Sequence, residues 1–177
     1  GGVIANPNCC AAILAAAVWP IHLAVGIRKI VVSTYQSASG AGAQAMQELE
    51  DQVRDHVAGK EIERKVFPHQ IAFNLFSHNT AVDPETGLNV EERKMIDETH
   101  KIWNDRSVLV NPTCIRVPVL RAHSESITVQ LARPATVDQV RDALRGAAGI
   151  TIVDDRASNR FPTPLKASGL DDVFVGR

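Results

Sequence analysis

Apolar positions recur along the chain with two periods, and the period decides which element each stretch predicts. Val3 to Ala5 is a short apolar run closed by the turn signal Asn6-Pro7-Asn8, and it predicts a strand. From Cys9 onward the chain is mostly Ala, Ile, Leu and Val, which predicts an apolar helix that Pro20 ends or kinks. Arg28 to Tyr35 is rich in β-branched residues and predicts a strand, followed by a small-residue loop from Gln36 to Gly42. Met46, Leu49, Val53 and Val57 return at helical spacing, with Gly59 as the stop, and His69 to Phe76 predicts another strand. Asn89 with Glu92 three residues on has the form of a capping box, opening a helix with Met95, Thr99, Ile102 and Trp103 as its inner face. Two strand-like runs, Val108 to Leu120 and Ser126 to Ala132, lie close enough in sequence to pair as neighbours. Thr136 with Gln139 caps a further helix, with Val137, Val140 and Leu144 inward and Gly149 past its end. Ile150 to Val153 and Val173 to Val175 are late strands. Strands outnumber helices and some are sequential, so the pattern predicts an α+β fold with a mixed, largely antiparallel sheet, its helices mainly on one face.

Composition narrows the classes. At 177 residues the chain suits one domain with a sizeable core, and 45% apolar with 22% charged residues is ordinary for a globular protein. The formal net charge is -1 and the Lys and Arg residues are spread among Asp and Glu, so no basic stripe points to a nucleic acid. The most apolar run, Ala11 to Val18, is too short to cross a bilayer and follows no charged leader segment, so no membrane partner is expected. Three cysteines, two of them adjacent at Cys9 and Cys10, make no disulfide framework. Neither they nor the scattered histidines have metal-ligand spacing, so no metal is expected. A reducing compartment fits these thiols. The absence of an initiator Met suggests a fragment, a processed chain or one piece of a split protein.

Candidate chemistry begins at Cys9, placed after a tight turn and at the start of an apolar helix. Free N–H groups and the positive end of the helix dipole favour a thiolate there, and with the Asn8 side chain could hold a developing oxyanion. The alternative is that Cys9 packs as a small hydrophobe, as Cys10 and Cys114 are expected to do. Gly40-x-Gly42-x-x-Ala45 has the letters of a dinucleotide fingerprint, but it sits beyond the strand end and no second strand carries a ribose-binding acid. It is read as a flexible turn that still lets a ligand approach the backbone. Strand alternation puts Arg116 on the face opposite Ile115, Val117 and Val119, where a guanidinium needs either an internal carboxylate or a ligand. His123, near a strand junction, is a proton shuttle or simply a hydrogen-bonded residue. Glu91, Lys94, Glu98 and Lys101 share one helical stripe, by default a solvated face.

Taken together these stretches resemble the aspartate-semialdehyde dehydrogenase family. The resemblance is carried by Ile4-Ala5-Asn6-Pro7-Asn8-Cys9, by Val31 to Gln36 with Ser39 to Gly42, and by Ile71 to Leu75. It continues through Glu91 to Met95 with Glu98-Thr99, Thr113 to Val119 with His123-Ser124-Glu125, Phe161 to Leu165 and Asp172 to Arg177. It implies the C-terminal catalytic domain of the glyceraldehyde-3-phosphate dehydrogenase-like fold, with residues 1–177 as one catalytic and dimerisation domain. By the resemblance Cys9 is the acylated nucleophile and His123 the general acid/base. Gln36, Glu91, Lys94, Arg116 and Asn8 would serve the substrate, with Arg116 on its α-carboxylate, Glu91 on its amino group and Lys94 on phosphate. Ser39 and Gly40 would lie against the cofactor, NADP.

The implied reaction is NADPH-dependent reduction of aspartyl phosphate to aspartate semialdehyde and phosphate through a Cys9 thioester, in lysine, threonine and methionine biosynthesis. A homodimer in the cytoplasm is expected, with a plastid as the alternative because Phe73 to Asn79 also resembles plant-type members. Three departures stand out. The family's N-terminal Rossmann half and its C-terminal closing segment have no counterpart in these residues, and Cys10 occupies a place where the family usually has Ser or Thr. The competing expectations are an acyl-phosphate reductase for another substrate and a non-catalytic dimerisation or scaffold domain.

Overall fold

In the computed structural model, which describes residues 2–177, the apolar run after the Asn-Pro-Asn turn is helix α1 (Cys9–Val25). Asn8 caps it, its side-chain oxygen accepting the Cys10 and Ala11 N–H groups at 3.1 Å each. That satisfies two of the donors a helix start leaves unpaired. Of the two outcomes expected at Pro20, the helix does not end there but runs through it to Val25 and the left-handed Gly26. A proline there forfeits one backbone hydrogen bond. Burial of Leu14, Val18 and Ile21 on either side offsets that loss, at about 1.5–3 kcal/mol for each fully buried chain of this kind.

Strand β1 (Ile27–Gln36) follows and sits inside a four-stranded sheet of order β2-β3-β1-β4, with β2 (Phe76–Ser77), β3 (Leu109–Arg116) and β4 (Ser124–Leu131). β1 is parallel to β3 and antiparallel to β4, and β2 is antiparallel to β3. The two runs expected to pair with each other are therefore separated by β1. The connection between them crosses the end of β1, where the Ala38 and Ser39 N–H groups donate to the Val119 and Leu120 carbonyls at 2.7 and 2.9 Å. The α+β class and the mixed, largely antiparallel sheet are as expected. Alternation along β1 and β3 buries Ile30, Val32, Thr34, Gln36, Cys114 and Arg116 on one face, while Val31, Tyr35 and Leu109 remain exposed on the other. Helix α1 and helix α3 (Val90–Trp103) pack against each other and supply the core with Cys10, Leu14, Val18, Met95 and Trp103. Helix α4 (Val137–Leu144) and a second, parallel sheet of β5 (Ile150–Ile152) and β6 (Val173–Val175) close over α1, and α5 (Pro164–Ala167) is a single turn. No helix among the described residues is long and apolar enough to cross a membrane.

Both expected capping boxes form, at Asn89 with Glu92 and at Thr136 with Gln139. Glu92 does more than close its box: its other oxygen accepts the Cys114 N–H at 3.0 Å and ties the start of α3 to β3. Within the expected inner faces Met95, Thr99, Trp103 and Leu144 are buried, whereas Ile102 and Val137 are exposed.

Three local expectations are corrected. Val3 to Ala5 forms no strand, and its exposed side chains pair with nothing in the sheet. Of His69 to Phe76 only the last residue enters a strand. Ile71 and Ala72 donate their N–H groups to the Gln52 side chain at 2.9 and 3.1 Å, and Phe73 adopts a left-handed φ of 58° that breaks the extended run. Helix α2 (Ala43–Val57) buries Ala45, Glu48, Leu49 and Gln52 rather than the Met46-Leu49-Val53-Val57 stripe, and Val57 is 79% exposed. Its contact with the following loop is polar. The buried Glu48 carboxylate accepts the N–H groups of Lys65 (2.9 Å), Val66 and Phe67 (3.4 Å), and the Gln52 side chain at 3.0 Å.

Removing that carboxylate strands several buried donors. Glu48→Ala is expected to lower stability by about 2–4 kcal/mol, whereas the exposed Val57→Ala shifts it by less than about 0.5 kcal/mol. The two urea midpoints, compared with that of the unmodified chain, check this.

Candidate active site

Cys9 is the first residue of α1 and is exposed, with its Sγ 3.2 Å from His123 Nε2. His123 lies just before β4, and the Ser37 backbone N–H donates to its Nδ1 at 2.9 Å. With Nδ1 accepting, the neutral ring carries its proton on Nε2, facing the sulfur. Ser37 Oγ is also 2.9 Å from Nδ1 and 3.0 Å from Ser39 Oγ. The Cys9 thiol is lowered from its ordinary 9.0 to about 4. The hydrogen bond from the Cys10 side chain lowers it most, and the hydrogen bond and charge of His123 add to that, against the opposing effects of burial and of Glu91. Cys10 is pushed up by the same bond to Cys9 and by burial, and burial pushes Cys114 up to about 12, so both remain thiols.

Three chain segments meet at Glu91, which is 5% exposed. Its Oε1 accepts from Asn8 Nδ2 at 2.7 Å and from Gln36 Nε2 at 3.0 Å, and its Oε2 lies 4.0 Å from Lys94 Nζ. Burial would raise this carboxyl, but the two amide bonds and the charges of His78 and Lys94 hold it below its ordinary value. Gln36 in turn accepts from the Thr34 hydroxyl at 3.0 Å. Asn8 is fully engaged: its oxygen caps α1, its amide holds Glu91, and its backbone N–H donates to Glu98. The cap takes the Cys10 and Ala11 N–H groups that the sequence offered to an oxyanion, which leaves the Cys9 amide for that role.

Arg116, 3% exposed, makes no ion pair with an internal carboxylate among the described residues. Its Nη1 donates to the Ser37 carbonyl at 2.9 Å, its Nη2 meets His78 Nε2 at 2.7 Å, its Nε has no partner, and it lies 5.6 Å over the Phe67 ring. A buried guanidinium short of one partner is a receptor for a carboxylate. Gly40 lies against the same groups. A Cβ there would stand 2.9 Å from His123 Cε1 and 3.2 Å from Arg116 Nη1, so only glycine lets the backbone approach so closely.

All the residues singled out in the sequence thus gather in one place, with Lys94 at its exposed rim. Sequence reasoning gave no role to His78, Ser37, Thr34, Glu98 or Glu125, although Glu98 lies in the stripe it marked and Glu125 in a stretch that carries the resemblance. His78 left a trace, since it falls inside the Phe73 to Asn79 stretch noted for its resemblance. Both Glu125 oxygens are buried with no hydrogen-bond partner among the described residues. Burial and the charge of Cys9 push this carboxyl up to about 8, with only the Cys10 side chain opposing.

Over residues 18–177 the sequence matches the family described as Semialdehyde dehydrogenase, dimerisation domain. It is 46% identical over 176 residues to the aspartate-semialdehyde dehydrogenase of Synechocystis sp., covering 99% of this chain and 52% of that protein. The fold is similar to that of aspartate semialdehyde dehydrogenase II from Vibrio cholerae complexed with ASA, with a TM-score of 0.93 and 42% identity over 98% of this chain and 51% of the other. A more distant likeness, of fold alone, is to the Candida albicans aspartate semialdehyde dehydrogenase with NADP, at a TM-score of 0.69 and 24% identity over 100% of this chain and 48% of the other. The chain spans about half the length of these relatives.

Two outcomes are expected from these charges. Alkylation of Cys9 keeps its full rate from pH 8 down to about pH 6 and falls only toward about pH 4, and His123→Ala moves the midpoint up by roughly a unit or more. Labelling rate against pH, with Cys9→Ser as the blank, measures it. Glu125 holds its proton to about pH 8 in the folded chain but only to about pH 4.3 when unfolded. Folding therefore binds a proton across that window, and stability falls as pH rises through it. Glu125→Gln removes that share of the slope, which melting temperatures at pH 5 and pH 8 would show.

Proposed function

The chain belongs to the semialdehyde dehydrogenase family, and from that premise we propose that it is the catalytic and dimerisation half of an NADP-dependent aspartate-semialdehyde dehydrogenase. The observation that carries this reading is the Cys9–His123 contact at a capped helix start, beside an Arg116 that lacks a carboxylate. A relative solved with ASA supports the choice of substrate. The reaction proposed is the reversible reduction of aspartyl phosphate to aspartate semialdehyde and phosphate, a step toward lysine, threonine and methionine.

In the biosynthetic direction the Cys9 thiolate attacks the acyl carbon, the bond from that carbon to the phosphate oxygen breaks, and phosphate leaves a thioester on Cys9. Arg116 takes the α-carboxylate on its unpaired side, and Glu91 Oε2 takes the substrate ammonium, while its Oε1 stays with Asn8 and Gln36. Lys94, half-exposed at the rim, meets the phosphate. An N-acetylated substrate offers Glu91 no ammonium, which favours the free amino acid. The Ser39–Gly40 backbone, free of a Cβ beside His123, fits a cofactor contact. When bound, NADPH supplies the hydride that reduces the thioester. His123 gives its Nε2 proton to the oxygen as the thiohemiacetal forms, and takes a proton back as the C–S bond breaks and the carbonyl closes. The exposed sheet face at Val31, Tyr35 and Leu109 is the surface offered for pairing of two copies, and the cytoplasm is the compartment proposed.

The acylation half of this chemistry needs no cofactor, so the chain can be tested directly. Mixed with aspartyl phosphate, it is expected to release about one equivalent of phosphate and to gain a hydroxylamine-labile acyl group on Cys9, as a thioester intermediate requires. Cys9→Ser abolishes this, and Arg116→Leu slows it by about a hundredfold, the scale on which losing a buried charge partner acts. A reactive thiol that takes no acyl group from aspartyl phosphate, by intact mass, would sink the substrate assignment.

A further inference from the structure

We propose that Cys9, Cys10 and His123 form a binding site for a thiophilic divalent cation, Zn2+ in the first place, built on the nucleophile itself. The sulfur atoms of both cysteines and a ring nitrogen of His123 all lie within 4.8 Å of one another. Cys9 Sγ and His123 Nε2 are 3.2 Å apart. Two thiolates and an imidazole are a zinc donor set, and with three protein ligands the fourth position stays open to water or an anion. The donor atoms of a tetrahedral zinc stand roughly 3.5–3.8 Å apart, given Zn–S near 2.3 Å and Zn–N near 2.0 Å. Small side-chain rotations are enough to reach that from the present spacing.

The obvious competing fate of adjacent thiols is a disulfide, and the backbone opposes it. Cys9 and Cys10 are consecutive helical residues, with Cα atoms about 3.8 Å apart across a trans peptide. A disulfide is usually made between Cα atoms about 4.4–6.8 Å apart. The two sulfurs therefore converge without bonding, which is the arrangement a metal ion needs. Glu125 adds an independent sign. Two residues from His123, its carboxyl oxygens are buried with no hydrogen-bond partner among the described residues.

Protons balance as follows. Cys9 binds as the thiolate it already is, and Cys10 releases one proton to solvent. His123 shifts its Nε2 proton to Nδ1, where Ser37 Oγ at 2.9 Å accepts it, freeing the Nε2 lone pair for the metal. The hydrogen bond from the Ser37 N–H is given up. A bound ion covers the nucleophile, so the site acts as a reversible block whose strength depends on Cys10, the residue that departs from the family resemblance.

Co2+ serves as the probe, added to the reduced chain without substrate. The expected result is one Co2+ per chain, with the visible bands of a tetrahedral site and a near-ultraviolet sulfur-to-cobalt band of two-thiolate intensity, displaced by Zn2+. Cys10→Ser and Cys10→Ala should each halve that band and weaken Zn2+ by more than the roughly 10–100-fold that loss of an outer partner costs. Cys114→Ser, remote from the donors, should bind as the unmodified chain does. No sulfur-to-cobalt band in the unmodified chain, or a band of one-thiolate intensity, overturns the proposal. So does Zn2+ affinity unchanged in a folded Cys10 variant.

Discussion

One carboxylate oxygen, Glu91 Oε1, joins the three elements on which the site depends. It receives the amide of Asn8, which caps α1, and the amide of Gln36, which ends β1, while Glu91 itself lies in the first turn of α3. Because a carboxylate only accepts, both amides must present nitrogen to it, and the orientation of each is settled. The Asn8 oxygen is then left to cap Cys10 and Ala11, and the Gln36 oxygen to take the Thr34 hydroxyl. The cap in turn decides where the Cys9 sulfur stands relative to His123. A helix stripe that looks like a solvated face in the sequence thus contributes the pin that holds nucleophile, strand end and helix start in register.

Charge is divided across the site in a way that suits its two tasks. The carboxyl groups of Glu91 and Glu125 lie on the side of the sulfur, and Arg116 and Lys94 lie on the other. The thiolate is favoured there by the Cys10 side chain and by His123, whose Nε2 stands 3.2 Å from the sulfur. The orienter of His123 is a backbone N–H rather than a carboxylate. A carboxylate at Nδ1 would favour the imidazolium, as in a Ser-His-Asp triad. An N–H donor at Nδ1 leaves the ring N–H on Nε2, the side of the reacting atoms. Such a ring can lend a proton to an oxyanion and recover it without changing partner at Nδ1.

Much of this was legible in the sequence, and what was not has identifiable causes. The caps at Asn89 and Thr136 were readable because a capping box is a local device, complete within four residues. Strands β1, β3 and β4 were readable from β-branched runs, but the insertion of β1 between the other two was not, since pairing partners are chosen by the whole sheet. Helix α2 misled because its buried face is set by backbone donors of a loop 17 to 20 residues away, which draw Glu48 and Gln52 inward. Apolar periodicity has no access to such a demand. At the site, Cys9, His123 and Arg116 were singled out by chemistry and position. His78 and Ser37 act through their contacts with Arg116 and His123, and beyond the resemblance of Phe73 to Asn79 nothing in their local sequence marks a role.

The topology explains why the candidate site residues gather at one edge of the sheet. β1 and β3 are parallel, so Gln36 and Arg116, paired in register, stand together at the carboxyl ends of adjacent strands. In sheets with parallel strands that edge is where chain reversals leave room for a ligand. β4 runs the other way, which brings its beginning, with His123 and Glu125, to the same edge. α1 and α3 both start there, adding the free amide of Cys9 and the positive ends of two helix dipoles. An acyl phosphate carries its negative charge at one end and its reacting carbon between that charge and an amino-acid head. An edge lined by two helix starts, one guanidinium and one rim lysine can bind such an anion from both sides while the sulfur faces its centre. The mixed direction of the sheet is therefore a requirement of the site, because an all-antiparallel sheet of these four strands would send Gln36 and Arg116 to opposite edges.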